Sequence, residues 1–492
     1  MNNMIVLPMA IPLLFGILLV FLQPYIRFQR WGTVFMLVIN SAVSIYILLT
    51  IQTKGILRLD FGEWLPPFGI LFVADSFSML LVVTTSIVST FAVLYAFATI
   101  GHEREQLYFY TFVSFLIAGV NGSFLTGDIF NLFVMFEVML LASYALITLG
   151  GKKFQLKESI VYIAINVVSS SLFLIAIAFL YGTIGTLNMA HISERITEVG
   201  QTPLLTVISL LFLLVFSIKS GLMLYQWLPG SYSVPPTAIA ALFGALLTKV
   251  GIYALFRFFT LMFYHQPGIT HKVIGFMALI TLIGGSIGAM AYINIRKIIS
   301  YNVIISVGFI LIGLVVASTV GYEGAIYYLI HDMFAKALLI LLGGTMIYLT
   351  KTELYDEMSG LIRNYPLLGW MFFLTVLALV GIPPLSGFIG KLLIAQGAVQ
   401  AGEYVLLIVG FLSSLIVLYS LMRIFMNCFW GETILSEDDV KPLRKIVLLP
   451  CLALTIIVIA LGIYPESIAP IVQDAAKTLA NPDLYIKAIL NN

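Results

Sequence analysis

Charged residues are scarce in this chain of 492 residues: Asp, Glu, Lys and Arg together make up 10%, whereas hydrophobic residues make up 61%. A soluble globular domain usually has about 25% charged residues and about 45–50% apolar residues. Apolar runs long enough to cross a membrane recur along the whole sequence. The scarcity of charge therefore excludes an ordinary soluble protein and predicts an all-α protein that crosses the membrane many times.

Cysteine is nearly absent as well, since Cys428 and Cys451 are the only two. They offer neither a disulfide framework nor the spacing of a metal site. The sequence contains no phosphate-binding loop, dinucleotide fingerprint or metalloprotease motif. Gly284-Gly285-Ser286-Ile287-Gly288 fits the esterase nucleophile pattern, but it lies in an apolar helix, where small residues usually mediate helix contacts. We therefore expect no cofactor, no metal, no nucleic-acid partner and no enzymatic activity.

The hydrophobic runs predict about fourteen transmembrane helices, joined by short connections. They cover residues 4–22, 33–51, 70–98, 107–123, 128–149, 159–182, 204–227, 236–264, 272–292, 299–319, 323–349, 366–398, 404–427 and 446–464. The N-terminus has no basic region and no small-residue cleavage site, so we expect the first helix to be retained.

Basic residues are unevenly divided between the two sides of these helices. Thirteen lie in the loops after odd-numbered helices: Arg27, Arg30, Arg104, Lys152, Lys153, Lys157, Arg296, Lys297, Lys351, Arg363, Lys441, Arg444 and Lys445. Six lie on the other side: Lys54, Arg58, Arg195, Lys272, Lys477 and Lys487. Because cytoplasmic loops are enriched in Lys and Arg, this asymmetry predicts a multi-pass protein of the cytoplasmic membrane with both termini outside.

The twelfth predicted helix is too long for one crossing. Its 33 residues would extend about 50 Å, whereas the hydrocarbon core is about 30 Å thick. Pro383 and Pro384 lie near its middle and remove two backbone donors. We therefore predict two half-helices joined by an unwound segment. Gly221 gives a weaker indication of a break in the seventh helix, and paired interruptions are typical of a transport site.

Ionisable residues lie deep inside several predicted helices, where each charge costs about 2.5–3.5 kcal/mol on insertion scales. A structural interpretation suits Asp332 and Lys336, which are four residues apart and could neutralise each other within one helix. A lone buried histidine is likewise more often a packing residue. The lysines, however, outnumber the two clearly buried acids, so pairing does not account for the whole set. The residues concerned are Glu137, Lys219, Lys249, His331, Lys336 and Lys391.

These six residues are predicted to translocate protons. Desolvation disfavours the charged form of a lysine and a nearby carboxylate favours it, so a lysine between the two influences can load and release a proton. His331 lies among the charges, and imidazole titrates near neutral pH. We expect Lys219 to meet Glu137, directly or through one water, when it is protonated. Lys391, past the predicted break, is expected to be the terminal proton site.

Several segments resemble antiporter-like subunits, the family of Mrp-type multisubunit cation/proton antiporters and of the proton-pumping membrane subunits of respiratory complex I. Residues 219–237, which begin Lys219-Ser-Gly and end Pro-Pro-Thr, are similar to the family's core motif, as is the segment around Lys249. Residues 133–137 resemble its fifth-helix glutamate motif, 331–337 its eleventh-helix motif and 381–391 its broken twelfth helix. The chain departs at Gln226 and Gly230-Ser231-Tyr232, where histidine and Asp-Ala-His are usual.

The resemblance implies two inverted five-helix repeats, helices 4–8 and 9–13, with helices 7 and 12 broken. The implied divisions are 1–106 for helices 1–3, 107–264 and 265–427 for the repeats, and 428–492 for helix 14 and the tail. Within the family the chain is most similar to the D subunits of Mrp antiporters. That likeness implies a proton-translocating component of a Na⁺/H⁺ antiporter, with protons and Na⁺ as the transported ions and with other subunits and lipid as partners.

Two other functions fit parts of the same pattern. A pump subunit of a complex I-like or membrane-bound hydrogenase complex would use the same channel with a different energy source. An assembly scaffold would use the charges only to bind neighbours, and the surplus of lysines argues against it. The identity of the partner subunits would separate the first two.

Overall fold

The computed structural model describes residues 2–432 and 443–490. Its long helices are α1 (Leu7–Phe21), α2 (Ile26–Lys54), α3 (Ser76–Thr99), α4 (Phe109–Leu125), α5 (Ile129–Thr148), α6 (Lys153–Ile184), α7a (Pro203–Ser220), α8 (Thr237–Met262), α9 (Thr270–Ala291), α10 (Ile295–Val315), α11 (Thr319–Thr350), α12a (Pro366–Val380), α12b (Ser386–Ala401), α13 (Tyr404–Phe429) and α14 (Lys445–Ile463). A short α7b (Leu228–Ser233) follows α7a, and α15 (Ala469–Ala480) and α16 (Pro482–Leu490) end the described chain.

The helices have the length and composition of membrane spans. In the described residues, twelve are long and apolar enough to cross a membrane, and α4 and α12a are shorter apolar helices. Each of the predicted regions overlaps one of these helices, so the protein is a polytopic helical membrane protein. Lys441, one of the basic residues counted above, lies outside the described residues.

The core of the molecule lies around α8. In the apolar 18-residue stretch of α8, 100% of the residues are buried, against 28% in that of the first helix and 33% in that of α14. Apolar side chains on α1, α2, α6 and α13 remain exposed, as Phe35, Phe179 and Leu415 illustrate. An exposed apolar face on a membrane helix is covered by lipid or by another subunit. The buried helices α8, α10 and α11 are therefore the ones that can carry polar groups inside the protein.

Several predicted boundaries were wrong: α2 begins at Ile26 and α6 at Lys153, well before the predicted residues 33 and 159. Residues 70–75 were expected to be helical, but β2 (Leu71–Ala74) pairs there with β1 (Leu57–Asp60) in an antiparallel hairpin, and α3 begins only at Ser76. Asp75 caps that helix by accepting a hydrogen bond from the Ser78 N–H at 2.8 Å. The seventh predicted helix, residues 204–227, is interrupted where Gly221 indicated a break, since α7a ends at Ser220.

The connections on one side of the molecule are joined to one another by backbone hydrogen bonds. The Gly127 N–H donates to the Leu71 carbonyl at 3.0 Å, and the Met189 N–H donates to the Gly127 carbonyl at 2.9 Å. The C-terminal helices fold back onto the same surface, where Ser76 donates to the Asp474 carboxylate at 2.5 Å. All of these segments follow even-numbered crossings or α14, so they belong to one face of the protein.

Candidate functional site

Asp332 is the centre of a buried ionic cluster between α8 and α11. Its carboxylate oxygens lie 2.8 Å from Nζ of Lys249 and 3.8 Å from Nζ of Lys336. The three side chains are at most 2% exposed. The pairing expected within one helix, Asp332 with Lys336, is thus the longer of the two contacts, and the nearer lysine comes from another helix. Because one carboxylate serves two lysines, the cluster carries a net positive charge when all three groups are ionised.

The helix that carries Lys249 is irregular directly before it. Residues Phe243–Leu247 form a π-helical segment, a feature that is frequent at functional sites. Nζ of Lys249 donates a hydrogen bond to the Gly244 carbonyl oxygen at 2.9 Å. The ammonium group therefore has both a carbonyl and a carboxylate as partners, which offsets part of the cost of its burial.

Pro383 and Pro384 lie between α12a and α12b. In a continuous helix the carbonyls of Leu379 and Val380 would accept hydrogen bonds from residues 383 and 384, and proline has no N–H to give. Lys391 supplies donors instead, with Nζ 3.0 Å from the Leu379 oxygen and 2.9 Å from the Val380 oxygen. The break and the lysine therefore form one unit, in which a cation lies at the negative end of α12a.

Lys391 has further partners around its ammonium group. Ser414 on α13 accepts a hydrogen bond from Nζ at 2.8 Å, and the rings of Phe309 and Tyr328 lie 5.1 and 5.5 Å away. The side chain is 5% exposed and borders a cavity of about 460 Å³ between α12 and α13. Exposed apolar residues such as Leu412 form the other walls of this cavity. Lys391 is thus close to the lateral surface without being open to it.

His331 connects the ionic cluster to the break. It precedes Asp332 in α11, and its Nδ1 lies 2.7 Å from the hydroxyl of Ser386, the first residue of α12b. Its Nε2 is buried and has no hydrogen-bond partner among the described residues. The ring packs against that of Tyr328 at 5.4 Å, and the same tyrosine ring borders Lys391. His331 is therefore positioned between the two groups of charges.

Lys219 lies in the last turn of α7a. Its Nζ donates to the Ser170 hydroxyl at 3.2 Å and lies 5.0 Å from the centre of the Phe136 ring. Gly221 ends the helix in a left-handed conformation with φ of 78°, and the chain is then unwound until α7b begins. The Met223 N–H in this segment donates to the Thr281 hydroxyl at 2.7 Å. Protein therefore covers the unwound backbone, as burial in a membrane requires.

Glu137 and Lys219 make no direct contact in this structure, and a contact through one water, the other form expected, stays a prediction. Both residues are described, and no nitrogen–oxygen distance between them is within 4.0 Å. Glu137 is only partly buried, and its Oε1 has no hydrogen-bond partner in the part of the chain described. The reason is that Ser170 and the ring of Phe136, the residue next to Glu137, satisfy the ammonium group instead.

The helices that carry Lys219 and Lys249, α7a and α8, are in direct contact. A Cβ atom added to Gly251 of α8 would lie 2.7 Å from the backbone nitrogen of Ser220. Only glycine permits so close an approach of two backbones. Lys219 precedes Ser220 and Lys249 lies two residues before Gly251, so each lysine is within two residues of this contact.

A large cavity lies on the face opposite to the hairpin, where α8, the helix that carries Lys249, begins. We call this cavity of about 660 Å³ the vestibule, and its walls include Arg104, Lys152, Arg296, Lys297, Lys351 and Glu353. It shares Thr237 and Gly344 with a smaller cavity of about 20 Å³, which has room for about one water molecule. Ile340 lines the small cavity and lies 2.5 Å from where a Cβ of Gly244 would be. The apolar side chain of Ile340 thus lies between this small cavity and Gly244, whose carbonyl holds Lys249.

A second buried ion pair was missed by the sequence analysis. Asp75, the residue before α3, is 1% exposed and lies 2.6 Å from the guanidinium of Arg257. The rings of Phe77, Tyr253 and Tyr485 surround that guanidinium at 5.1–5.7 Å. No pattern in the sequence links residues 182 positions apart. Only the position of Arg257 within a predicted helix could have drawn attention to it.

Comparisons with known proteins place the chain in a family. Residues 126–417 match the family described as NADH:quinone oxidoreductase/Mrp antiporter, TM, and the chain belongs to that family. It is similar to the D subunits of the Na⁺/H⁺ antiporters of Bacillus subtilis, at 49% identity, and of Alkalihalophilus pseudofirmus, at 44%, with 100% of each chain covered. Its fold is similar to a chain in the Mrp complex of a Dietzia species, with a TM-score of 0.92, 28% identity and 99% of both chains covered.

Proposed function

We propose that this chain is a proton-translocating component of a multisubunit Na⁺/H⁺ antiporter in the cell membrane, working as a secondary transporter and not as an enzyme. The full-length likeness to the D subunits of two Na⁺/H⁺ antiporters supports this assignment. The family also includes subunits of NADH:quinone oxidoreductase, which perform their work in a redox-driven complex. Purification with native partners separates the two functions, because antiporter subunits are expected and quinone or hydrogenase subunits are not.

The observation that carries the proposal is the buried row of ionisable groups across the centre of the bundle. From the vestibule, protons would reach Lys249 and pass by Asp332 and Lys336 to His331. The Ser386 hydroxyl, 2.7 Å from the imidazole, leads on to the break where Lys391 is held. A scaffold protein would gain nothing from one carboxylate shared by two buried lysines, because pairing or apolar replacement would be more stable.

The two halves of the proton path would correspond to inverted repeats, α4–α8 and α9–α13. Each half contains a broken helix and a lysine near the break: Lys219 one residue before the end of α7a, and Lys391 beside the end of α12a. In transporters built from inverted repeats, broken helices of this kind form the ion site near the middle of the membrane.

Glu137 and Lys219 would act as a switch in the first half. The conformation described above, with Lys219 donating to Ser170, would be the one in which the lysine is released from Glu137. A second conformation, in which the ammonium group turns to the half-buried carboxylate, would hold the proton. Transport would alternate between the two, because the contact of the lysine with Glu137 favours its charged form and burial without the carboxylate disfavours it.

The vestibule would face the cytoplasm, with both termini outside. The vestibule collects basic residues from four different connections, including Arg104, Lys152 and Lys351. The hairpin and the C-terminal helices on the opposite face contain fewer basic residues, and an excess of Lys and Arg marks the cytoplasmic side.

The decisive experiment replaces Lys219 with arginine in the assembled complex. Arginine keeps a positive charge at any accessible pH, so Lys219→Arg should reduce Na⁺/H⁺ antiport in everted vesicles to background if this lysine must release its proton. Glu137→Ala should have the same effect, whereas the exposed Lys477→Arg should not. Complex assembly is checked on native gels. Near-normal antiport by an assembled Lys219→Arg complex would refute deprotonation of Lys219 as a step of transport.

A further inference from the structure

The walls of the vestibule carry a strong excess of positive charge. Five basic side chains line it, and among the described residues that line it Glu353 is the one acid. Arg296 forms an ion pair with that acid, with its Nε 3.1 Å from the carboxylate. It also donates a hydrogen bond to the Pro235 carbonyl at 3.0 Å. The charge of the other basic residues is not neutralised by Glu353.

Lys297, Lys351 and Arg104 have partners that do not neutralise their positive charge. Nζ of Lys297 lies 4.7 Å from the centre of the Tyr292 ring, and Nζ of Lys351 lies 4.4 Å from that of Tyr348. An aromatic ring attracts a cation but does not cancel its charge. Arg104 donates to a backbone carbonyl, while its buried Nε has no hydrogen-bond partner among the described residues. These groups therefore keep donors and charge for a further ligand.

Helix N-termini add to the positive potential. The vestibule walls include Lys152 and Thr237, where α6 and α8 begin, and neither helix has a side-chain cap on its first N–H groups. α10 begins at Ile295 beside the same walls, but there the Ile295 N–H donates to the Glu353 carbonyl and the Lys297 N–H to the Asn294 side chain. The first N–H groups of a helix and its dipole both favour an anion.

From these basic side chains and helix N-termini we propose that the vestibule binds a phosphate group. Several basic side chains and backbone N–H groups around one cavity are the usual means of holding a group with more than one negative charge. The volume of about 660 Å³ is that of a small-molecule site. Phe154, an exposed apolar residue, lines the same cavity. The phosphate could therefore belong to an anionic phospholipid, whose headgroup lies at this level of a membrane, or to free phosphate.

The test uses the whole complex in nanodiscs of phosphatidylcholine that contain a photoreactive phosphatidylglycerol. Cross-linked peptides of this chain are identified by mass spectrometry. A triple variant, Lys152→Gln, Lys297→Gln and Lys351→Gln, removes charge from the vestibule, and Lys272→Gln, Lys477→Gln and Lys487→Gln removes the same charge from exposed positions outside it. The vestibule variant should lose label from residues 152–155 and 347–353 by about ten-fold or more, and the control should keep it.

A second arm distinguishes the source of the phosphate. In nanodiscs of phosphatidylcholine alone, inorganic phosphate should raise the melting temperature of the wild-type complex, but not that of the vestibule variant, if free phosphate is the ligand. Label without such a shift assigns the site to the lipid headgroup. Absence of both in the wild type overturns the proposal, whether or not the variant assembles.

Discussion

The contacts of Lys391 with two backbone carbonyls follow from the local sequence. A side chain on a helix points back toward the helix N-terminus, so a lysine in the second turn of α12b reaches toward the break that precedes it. The break itself follows from Pro383 and Pro384, and the two carbonyls that these prolines leave without donors are the ones that Lys391 binds. The number and type of these partners are therefore a consequence of spacing within one short segment.

The partner of Asp332 could not be predicted in the same way. The sequence offered Lys336 at a spacing of four residues, whereas the nearer lysine, Lys249, is 83 positions away and comes from α8. Which of the buried lysines meets a given carboxylate depends on how the helices pack. The sequence analysis found the residue types and their depth but not their pairing. The same limit applies to Glu137 and Lys219, which make no direct contact.

Removing the shared carboxylate should damage both stability and transport. In Asp332→Asn, two buried lysines lose their counter-charge, and breaking a buried pair in this way costs about 3–5 kcal/mol. We expect a lower melting temperature of the purified complex and loss of antiport. Lys249→Met should be more harmful than Lys336→Met because its contact is shorter, 2.8 against 3.8 Å. The exposed Asp483→Asn serves as the control, and an Asp332→Asn complex as stable as this control would contradict the ionic role.

Asp128 at the start of α5 should make stability depend on pH. Burial raises the pKa of its carboxyl group from 3.8 to about 6, partly opposed by the hydrogen bond from the Asn131 N–H. The folded state then holds the proton more tightly than the unfolded state, so this group makes the protein less stable as pH rises from 3.8 to about 6. Asparagine can cap the helix without a charge. Asp128→Asn should therefore melt at a higher temperature than the wild type at pH 7.5, and the difference should shrink at pH 4.5. An equal difference at both values would show that the carboxyl group does not titrate in this range.

At the scale of elements, the positions of the helices were largely predictable and their interruptions less so. Length and hydropathy locate a span because the bilayer imposes both. The hairpin before α3 was not predicted because its apolar residues continue directly into the helix. Gly221 gave only a weak signal of the end of α7a, whereas the Pro-Pro pair in the twelfth helix gave a strong one. Backbone chemistry is visible in a sequence where proline removes a donor, and much less so where glycine merely permits a turn.

The break in the twelfth helix is held in place by α14. A Cβ atom on Gly462 would lie 2.4 Å from the backbone nitrogen of Ser386 and 2.5 Å from the Pro384 carbonyl oxygen. Gly462→Ala should displace the break, at a cost of about 1–3 kcal/mol for overpacking, and with it Lys391 and His331. We expect weaker antiport and a lower melting temperature.

Gly182 in α6 provides the matched control for that substitution. A Cβ atom there would meet nothing within 4 Å, and alanine favours a helix over glycine by about 1 kcal/mol. Gly182→Ala should therefore leave both measurements unchanged or raise the melting temperature. Equal effects of the two substitutions would show that the contact between α14 and the break has no particular importance.

At the scale of the whole molecule, burial divides the protein into an inner and an outer set of helices. The ionisable groups lie on or beside α8 and α11, whose apolar 18-residue stretches are 100% and 78% buried, whereas those of the first helix and α14 are only 28% and 33% buried. This arrangement isolates the charges from lipid, because a charged side chain facing hydrocarbon would be costly. It also leaves apolar helix faces at the periphery, where the other subunits of an antiporter complex would bind.

The last prediction concerns the orientation of the molecule in the membrane. Cys428 and Cys451 are buried, so single cysteines introduced at exposed positions report on the side that they face. Ser467, after α14, and Lys157, in the first turns of α6, are both exposed and should lie on opposite sides. On intact cells, a maleimide that cannot cross the membrane should label Ser467→Cys directly, and Lys157→Cys only after the cells are made permeable. The reason is that the loops around Lys157 contain the excess of basic residues that marks the cytoplasmic side. The reverse pattern would invert the orientation and would place the mouth of the vestibule on the outer surface.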